Sequence, residues 1–404
     1  MSRDDIIIGL DIGTSSIQVV VASKKKAQEV PQVIGWGEAP SRGLRKGVVV
    51  DIEEAAAAIR EAFQKAINHA GIKIREAIVS VGSNNVFVRS SKGVVIVSRA
   101  DREISREDIQ RALLQAEAIP ANPNREILHN LAKEWIVDGE RSIKDPIGMT
   151  GVKLEVDTLI VECGTQTLKN LRKAVNLAGV KIKEVVLSPL AASYAVLSPR
   201  QRELGTLVLD IGGHTTGMVV FEEGDIYHAA IFSYGSAYVT HDLVYGLRVD
   251  VDAAEKIKKD HGSALVESTS SRDMVDLKKL GGDSSVPRRQ IALICEARFS
   301  EIFDVIQKEL KKIGRASMLP GGVVLTGGGS YLSRLDKLAK KDLSLPASYG
   351  VAQKISGPDE IIQNRVFTTA LGLIIWGFEE NFDRVADDNS SYGGILRFLK
   401  NFIP

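Results

Sequence analysis

Leu209-Asp210-Ile211-Gly212-Gly213-His214-Thr215-Thr216-Gly217 decides how the chain is read. Ahead of it runs Leu204-Gly205-Thr206-Leu207-Val208, apolar and β-prone, and behind it Met218-Val219-Val220-Phe221. The pattern is strand, tight glycine turn, strand: a hairpin with an acid at its mouth. Gly212 and Gly213 let backbone approach a ligand with no Cβ in the way. Thr215 and Thr216 add hydroxyls, and the N–H groups of the turn can form an anion nest. Asp210 can hold a magnesium ion through water. Taken alone, the stretch reads equally well as an ordinary hairpin turn.

The pattern occurs twice. Ile6-Ile7-Ile8-Gly9-Leu10-Asp11-Ile12-Gly13-Thr14-Ser15-Ser16 is followed by Ile17-Gln18-Val19-Val20-Val21, again a strand, Asp-Ile-Gly, hydroxyls and a second strand. The two aspartates lie 199 positions apart (210 − 11), half of a 404-residue chain. Two such hairpins facing each other could clamp one polyphosphate from both sides. A third glycine element, Val323-Val324-Leu325-Thr326-Gly327-Gly328-Gly329-Ser330, predicts a buried strand running into a glycine turn and a helix, where backbone can lie against a nucleotide. Each element is a weak signal; the three in this order are specific.

In that order they resemble the phosphate-1, phosphate-2 and adenosine motifs of the actin, Hsp70 and hexokinase superfamily. Pro40-Ser41-Arg42-Gly43-Leu44-Arg45-Lys46-Gly47, Pro189-Leu190-Ala191-Ala192-Ser193-Tyr194-Ala195-Val196-Leu197, Arg202-Glu203-Leu204-Gly205 and Ala254-Glu255-Lys256-Ile257-Lys258 look like FtsA, the bacterial actin-like family that ties the FtsZ division ring to the membrane. The resemblance covers nearly the whole chain. It implies an α/β, actin-like (ribonuclease-H-like) two-lobe ATPase fold with an inserted small α/β subdomain, and ATP with Mg2+ as ligands. The implied nucleotide contacts are Asp11, Gly13, Thr14, Ser15, Ser16 and Gln18 from the first hairpin. Asp210, Gly212, Gly213, His214, Thr215 and Thr216 come from the second, and Gly327, Gly328, Gly329 and Ser330 from the third element. Asp11 and Asp210 would face the metal, and Glu255 and Lys258 the ribose and adenine; three apart on one helix, those two also fit a solvated ion pair. The family's arginine for the FtsZ C-terminal tail falls on Arg298, which as plain chemistry is a surface arginine flanked by Glu296 and Glu301. Further implied partners are the chain itself as a filament, the anionic cytoplasmic membrane at the division site, and later division proteins.

Bulk properties agree with this and exclude other classes. Lys+Arg number 52 against 51 Asp+Glu, so nothing pulls the chain toward nucleic acid. Cys163 and Cys295 are the two cysteines, which fits a reducing cytosol and no disulfide framework. The polar start Met1-Ser2-Arg3-Asp4-Asp5 leads into a strand and is read as no signal peptide. The longest apolar run, Ala370 to Phe378, is short of the ~20 residues a membrane span takes.

Periodicity divides the chain. Residues 1–83 read as the first lobe's β-β-β-α-β start, with Asp51 capping a helix whose Ile59, Ala62, Phe63, Ala66 and Ile67 form an apolar stripe. Residues 84–162 read as the insert: a strand-rich stretch from Val86 to Val97 with Gly93 at a turn, a helix capped by Ser105, then further strands. By resemblance this is the subdomain called 1C. Residues 163–199 return to the first lobe, and 200–378 read as the second, with, by resemblance, its own insertion (2B) at about 227–310. The small-residue helices Pro189 to Leu197 and Thr368 to Leu373 are implied as the inter-lobe hinge. Glu379 to Tyr392 reads as a flexible linker.

The end of the chain is distinctive. On a helix, Ile395, Leu396, Phe398, Leu399, Phe402 and Ile403 cover one face, while Arg397, Lys400 and Asn401 share the other. A basic polar face without acids, behind an acidic linker, reads as an interfacial membrane helix, although amphipathic ends also commonly dock back on their own domain.

Rival activities fare worse. A kinase needs a carboxylate base beside an acceptor hydroxyl, and no unambiguous candidate is present. A chaperone of this class needs a further substrate domain. The nearest alternative is a PilM-like nucleotide-bound platform for pilus assembly, which has no need of the linker and terminal helix. Departures from the family pattern are His214 for a third glycine, Gly217 for a second acid, and Ser188 where relatives that hydrolyse well carry glutamate. His214 reads as a space-filler beside the phosphates, and hydrolysis is expected to be slow or absent.

Overall fold

A computed structural model describes residues 5–25, 28–118, 122–270, 272–280 and 285–387. It contains the same five-stranded mixed sheet twice. In the first, the order is Lys181–Leu187, Glu76–Val81, Asp5–Ile12, Ser16–Lys24, Gln32–Pro40. In the second, Ala347–Tyr349, Val323–Thr326, Thr206–Ile211, Thr216–Glu222 and Asp225–Phe232 take the same places. In each, the hairpin strands pair antiparallel, and the aspartate strand pairs parallel with its other neighbour. Asp11 and Asp210 therefore sit at the carboxyl ends of equivalent central strands, where ligands of α/β sheets collect. Even the cross-strand partners correspond: Gln18 faces Asp11, and Gly217 faces Asp210.

The helix of the first lobe forms as its sequence dictates. Asp51 accepts from the Glu54 N–H, Glu53 and Glu54 occupy the first turn, and Gly71 closes the end at φ 66°. Ile59, Ala62, Phe63, Ala66 and Ile67 are all buried against the sheet.

Between Glu76–Val81 and Thr165–Leu177 stands the insert, a four-stranded antiparallel sheet covered by the helix Arg106–Glu117. Ser105 and Asp108 complete a capping box at that helix's start. Gly93 corrects the expected turn. Val86–Ile96 is one continuous strand, and a Cβ on Gly93 would lie 1.9 Å from the carbonyl oxygen of Ala112, so this glycine admits the helix rather than bending the chain. The insert also rests on the second lobe: Lys133 lies 4.3 Å from the Tyr227 ring centroid, and Lys144 pairs with Glu203 at 3.0 Å.

Two helices, Ser188–Val196 and Thr368–Asp387, cross between the sheets. Pro189 sits in the first turn of the former, where a missing N–H costs nothing. The latter continues to Asp387, past Glu379, where the linker was expected to begin. The rest of that linker and the expected terminal helix from Ile395 to Ile403 lie outside the described residues. No described helix is long and apolar enough to cross a membrane.

His129 joins the insert to this crossing. Its Nε2 accepts the Leu187 N–H at 3.1 Å, and its ring meets Trp376 edge-on at 5.6 Å. Burial pushes its pKa down from 6.5 to about 4. The unfolded chain then binds the extra proton between those values, so the stability contributed by neutral His129 is lost as pH falls from 6.5 toward 4. The full loss approaches about 3 kcal/mol at ~1.4 kcal/mol per pH unit. Denaturant titrations at pH 7.5 and 4.5 should show the wild type losing more stability than His129→Gln; equal losses would mean His129 is not buried neutral.

Candidate functional site

Both aspartates and all three glycine turns line one cleft of about 680 Å³ between the lobes. From the first hairpin come Asp11, Gly13, Thr14, Ser15, Ser16 and Gln18; from the second, Asp210, Gly212, Gly213 and Thr215. Gly327, Gly328 and Gly329 complete the floor, and Glu255 and Lys258 form part of the wall.

Two of the glycines make close approaches. A Cβ on Gly213 would lie 2.1 Å from the Ser15 Oγ, so the tips of the two hairpins touch. Gly327 has φ 79°, and a Cβ there would meet the Asp210 carboxylate at 2.5 Å. The first turn of the helix Ala237–Leu247 is tied to the second hairpin, with Ser236 and Ala237 N–H groups donating to the carbonyls of Gly212 and Gly213.

The electrostatics call for a cation. The Ser80 hydroxyl donates to Asp11, and that of Thr369 to Asp210 at 3.3 Å. Burial nonetheless pushes Asp11 from 3.8 up to about 7, helped by the nearby Asp210, and pushes Asp210 up to about 6. Two carboxylates with hydroxyl partners and, among the described residues, no positive one, beside backbone turns that a Cβ would fill, suit a divalent ion with a polyphosphate. Among the described residues no cluster of three or more acids, histidines and cysteines forms a closed metal cage. Such an ion would therefore share its coordination with ligand and water.

Glu255 and Lys258 are more than a solvated pair. Lys258 reaches Glu255 at 2.6 Å, Thr240 at 2.9 Å and the Ser236 carbonyl at 3.3 Å, while Thr240 donates to Glu255 at 2.6 Å. Burial pushes the Lys258 ammonium down from its usual value.

Three of the implied contacts are absent from the cleft lining. Thr216 is buried and donates to the Tyr234 carbonyl at 2.8 Å, and Ser330 closes its own turn on the Gly327 carbonyl at 2.6 Å. His214 is half-buried with an unpartnered Nδ1. Burial lowers its pKa, and the positive groups of His241, Lys46, Arg45 and Lys258 push the same way.

Other lining residues carry no local signal in the sequence. Glu38 enters because it lies directly across from Gln18, whose amide donates to it at 3.3 Å. Thr369, Tyr331 and Asn364 also line the cleft. Ser188, which the sequence marks as a departure from the family pattern, lines it too. Gly217 has a steric reason: a Cβ would sit 2.8 Å from the Pro189 ring, so an acid cannot replace it without moving the helix Ser188–Val196.

Arg298 lies apart from the cleft, on the helix Arg288–Lys312. It grips Asp242 with two bonds of 2.6 and 2.9 Å and Glu301 with one of 2.6 Å.

Two sheets of one order, closing on a cleft of paired aspartates and glycine turns, define an actin-like two-lobed fold with a nucleotide-type site. Solved structures share the fold. The PilM-PilN type IV pilus biogenesis complex matches with TM-score 0.68 at 18% identity, over 92% of this chain and 98% of that one. MreB5 of Spiroplasma citri bound to ADP matches with TM-score 0.54 at 14% identity, over 95% and 99%. Sequence gives the family. Residues 207–372 match the family model described as cell division protein FtsA, and residues 84–162 the SHS2 domain inserted in FtsA. The cell division protein FtsA of Pseudomonas aeruginosa is 33% identical over 98% of this chain and 97% of its own length. The chain belongs to the FtsA family of actin-like cell-division proteins.

Proposed function

We propose that the chain binds ATP with Mg2+ between its lobes, polymerises on the cytoplasmic face of the membrane at the division site, and there anchors the FtsZ ring and receives later division proteins. The observation that carries this is the convergence of Asp11, Asp210 and three glycine turns on one cleft in a chain of the FtsA family. Bound Mg2+ would supply the charge the two carboxylates lack. The hairpin glycines would bring their N–H groups to the phosphates, and Glu255 and Lys258 would flank the nucleoside. Ser188 offers a hydroxyl where an acid would serve better as base, so turnover is expected to stay far below the median enzyme rate of ~10 per second.

Membrane attachment is assigned to Ile395, Leu396, Arg397, Phe398, Leu399, Lys400, Phe402 and Ile403. One helix of this length binds weakly, and a filament presenting many binds firmly through avidity. The experiment is flotation of the full chain with anionic liposomes. Deleting 395–404, or changing Phe398 and Phe402 to Glu, should release the protein; a truncated chain that floats as well as the full one contradicts the anchor.

The FtsZ tail is assigned to the second lobe at Arg298. An acidic tail would take over bonds now made by Asp242 and Glu301, next to a helix that leaves Tyr245 exposed. Arg298→Glu should weaken binding of an FtsZ tail peptide at least tenfold, about 1.4 kcal/mol, and leave nucleotide affinity unchanged. Because the variant also sets a third carboxylate against Asp242 and Glu301, its melting temperature and that of Arg298→Gln are measured alongside. Unchanged peptide affinity in both variants places the tail elsewhere. A PilM-like role would instead be supported by binding to a peptide of an inner-membrane pilus protein.

A further inference from the structure

We infer that the insert is a clasp between the lobes, closed by Lys133 and Lys144 on the second sheet, and that its hold sets how fast the cleft exchanges its ligand; this rests on the nucleotide reading of the cleft. The lobes are tied together twice. One tie is the pair of helices Ser188–Val196 and Thr368–Asp387, which meet backbone to backbone at Ala191 and Gly372. The other is the insert, which leaves and rejoins the first lobe but lies against Asp225–Phe232, the outer strand of the second sheet. The core of the first lobe continues through Leu131 and Leu159 of the insert to Ile226 and Ala229 of that strand. Lys133 stands over the Tyr227 ring at 4.3 Å, and burial pushes its ammonium down from the usual value. The second lobe fixes that ring from its own side: Arg315 lies 4.3 Å from its centroid, and its hydroxyl donates to the Ile313 carbonyl at 3.3 Å. The Lys144 ammonium reaches both carboxylate oxygens of Glu203, at 3.0 and 3.1 Å.

The clasp and the cleft lie on opposite sides of the helix crossing. Thr369 donates to Asp210 at the cleft, and Trp376, about two turns further along the same helix, meets His129 of the insert. Gly372 lies between them. In the second sheet, Gly217 pairs with Asp210 at the cleft, whereas Glu222 pairs with Asp225 at the far end. There the Glu223 N–H donates to the Glu203 carbonyl. Thr206 begins the strand that carries Asp210, so this far end is ~13 Å from the aspartate at ~3.3 Å per residue. The hairpin tips touch, Ser15 against Gly213, while both clasp contacts are made. The clasp therefore belongs to the closed arrangement of the lobes. Parting the tips by rotation about the crossing moves the insert along Asp225–Phe232 and shears Lys133 from Tyr227 and Lys144 from Glu203. A polyphosphate held between the hairpins leaves when the tips part, so the hold of the clasp enters its release rate.

The test is release of a fluorescent Mg-ATP analogue from the preloaded full chain, chased with excess Mg-ATP. The double variant Lys133→Met, Lys144→Gln keeps the apolar stems and removes both charges. It should release the analogue about threefold to tenfold faster than the wild type. In a second variant, Lys144→Cys with Glu203→Cys, a short bismaleimide bridges the two positions; Cys163 and Cys295 are buried and stay out of its reach. The bridged chain should release about tenfold more slowly than the wild type. The same variant treated with a monofunctional maleimide should release at least as fast as the wild type. Melting temperatures are measured alongside, because a brace that only adds stability shifts them and leaves release unchanged. Release from the bridged chain at the wild-type rate overturns the clasp, whatever the melts show. A wild type that takes up no analogue overturns the cleft reading and the role of the clasp with it.

Discussion

Replacing Asp11 and Asp210 together by Asn should stabilise the nucleotide-free protein and abolish its affinity for Mg-ATP. The two effects have one cause. Both carboxylates have folded pKa values near 7 and 6 against 3.8 unperturbed. Between pH 4 and 7 the folded chain therefore holds protons the unfolded chain has released, and stability falls as pH rises through that window. At pH 8 both groups are forced to ionise side by side. Removing the charges should return about 1–3 kcal/mol, less than the full shifts imply because the cleft admits water and because the Ser80 and Thr369 bonds are weakened. The same charges are what a divalent ion would bind, so the variant should lose more than ~100-fold in Mg-ATP affinity, about 2.7 kcal/mol. Thermal melts at pH 8 read both: a higher midpoint without ligand, and no rise on adding Mg-ATP, where the wild type gains by mass action. A variant that still gains from Mg-ATP places the metal elsewhere.

Gly372→Val should be among the most damaging single changes in the chain. The two helices between the sheets cross with backbone against backbone: a Cβ on Gly372 would lie 1.8 Å from the Ala191 carbonyl oxygen and 2.4 Å from its carbon. Neither atom can move without shifting the helix Ser188–Val196, whose Pro189 packs on Gly217 of the second sheet. On an exposed helix Gly→Ala would gain about 1 kcal/mol of helix propensity. Here Gly372→Ala should instead lose about 1–3 kcal/mol and Gly372→Val more than ~3 kcal/mol, the cost of overpacking a site that cannot yield. Denaturant unfolding of the two variants checks the order. A neutral Gly372→Ala would mean that the helices separate freely and that the crossing is loose.

Much of this is legible in the sequence, because the repeated strand-turn-strand units are local. Each needs only its own apolar alternation and its own glycines, so the amino-acid order alone places both hairpins, both aspartates and the third glycine turn. Long-range packing is not legible in the same way. Gly93 looks like a turn until Ala112 is brought against it, and Gly217 looks like a lost acid until Pro189 fills the space. Glu38 reaches the cleft through its register with Gln18, which no local pattern records. Arg298 reads as a surface arginine flanked by Glu296 and Glu301, yet Asp242, 56 positions away, holds it with two bonds. Tyr331 sits next to a legible motif, but the Arg365 guanidinium that covers its ring, and that also lies over Tyr349, comes from another part of the chain.

The cleft between the lobes is proposed to hold a magnesium nucleotide. Calorimetric titration of Mg-ATP into the folded full-length protein, first stripped of nucleotide, tests it most directly. One site per chain, with binding lost when Mg2+ is chelated, is the predicted result. No heat with Mg-ATP in protein shown to be folded and empty would contradict it.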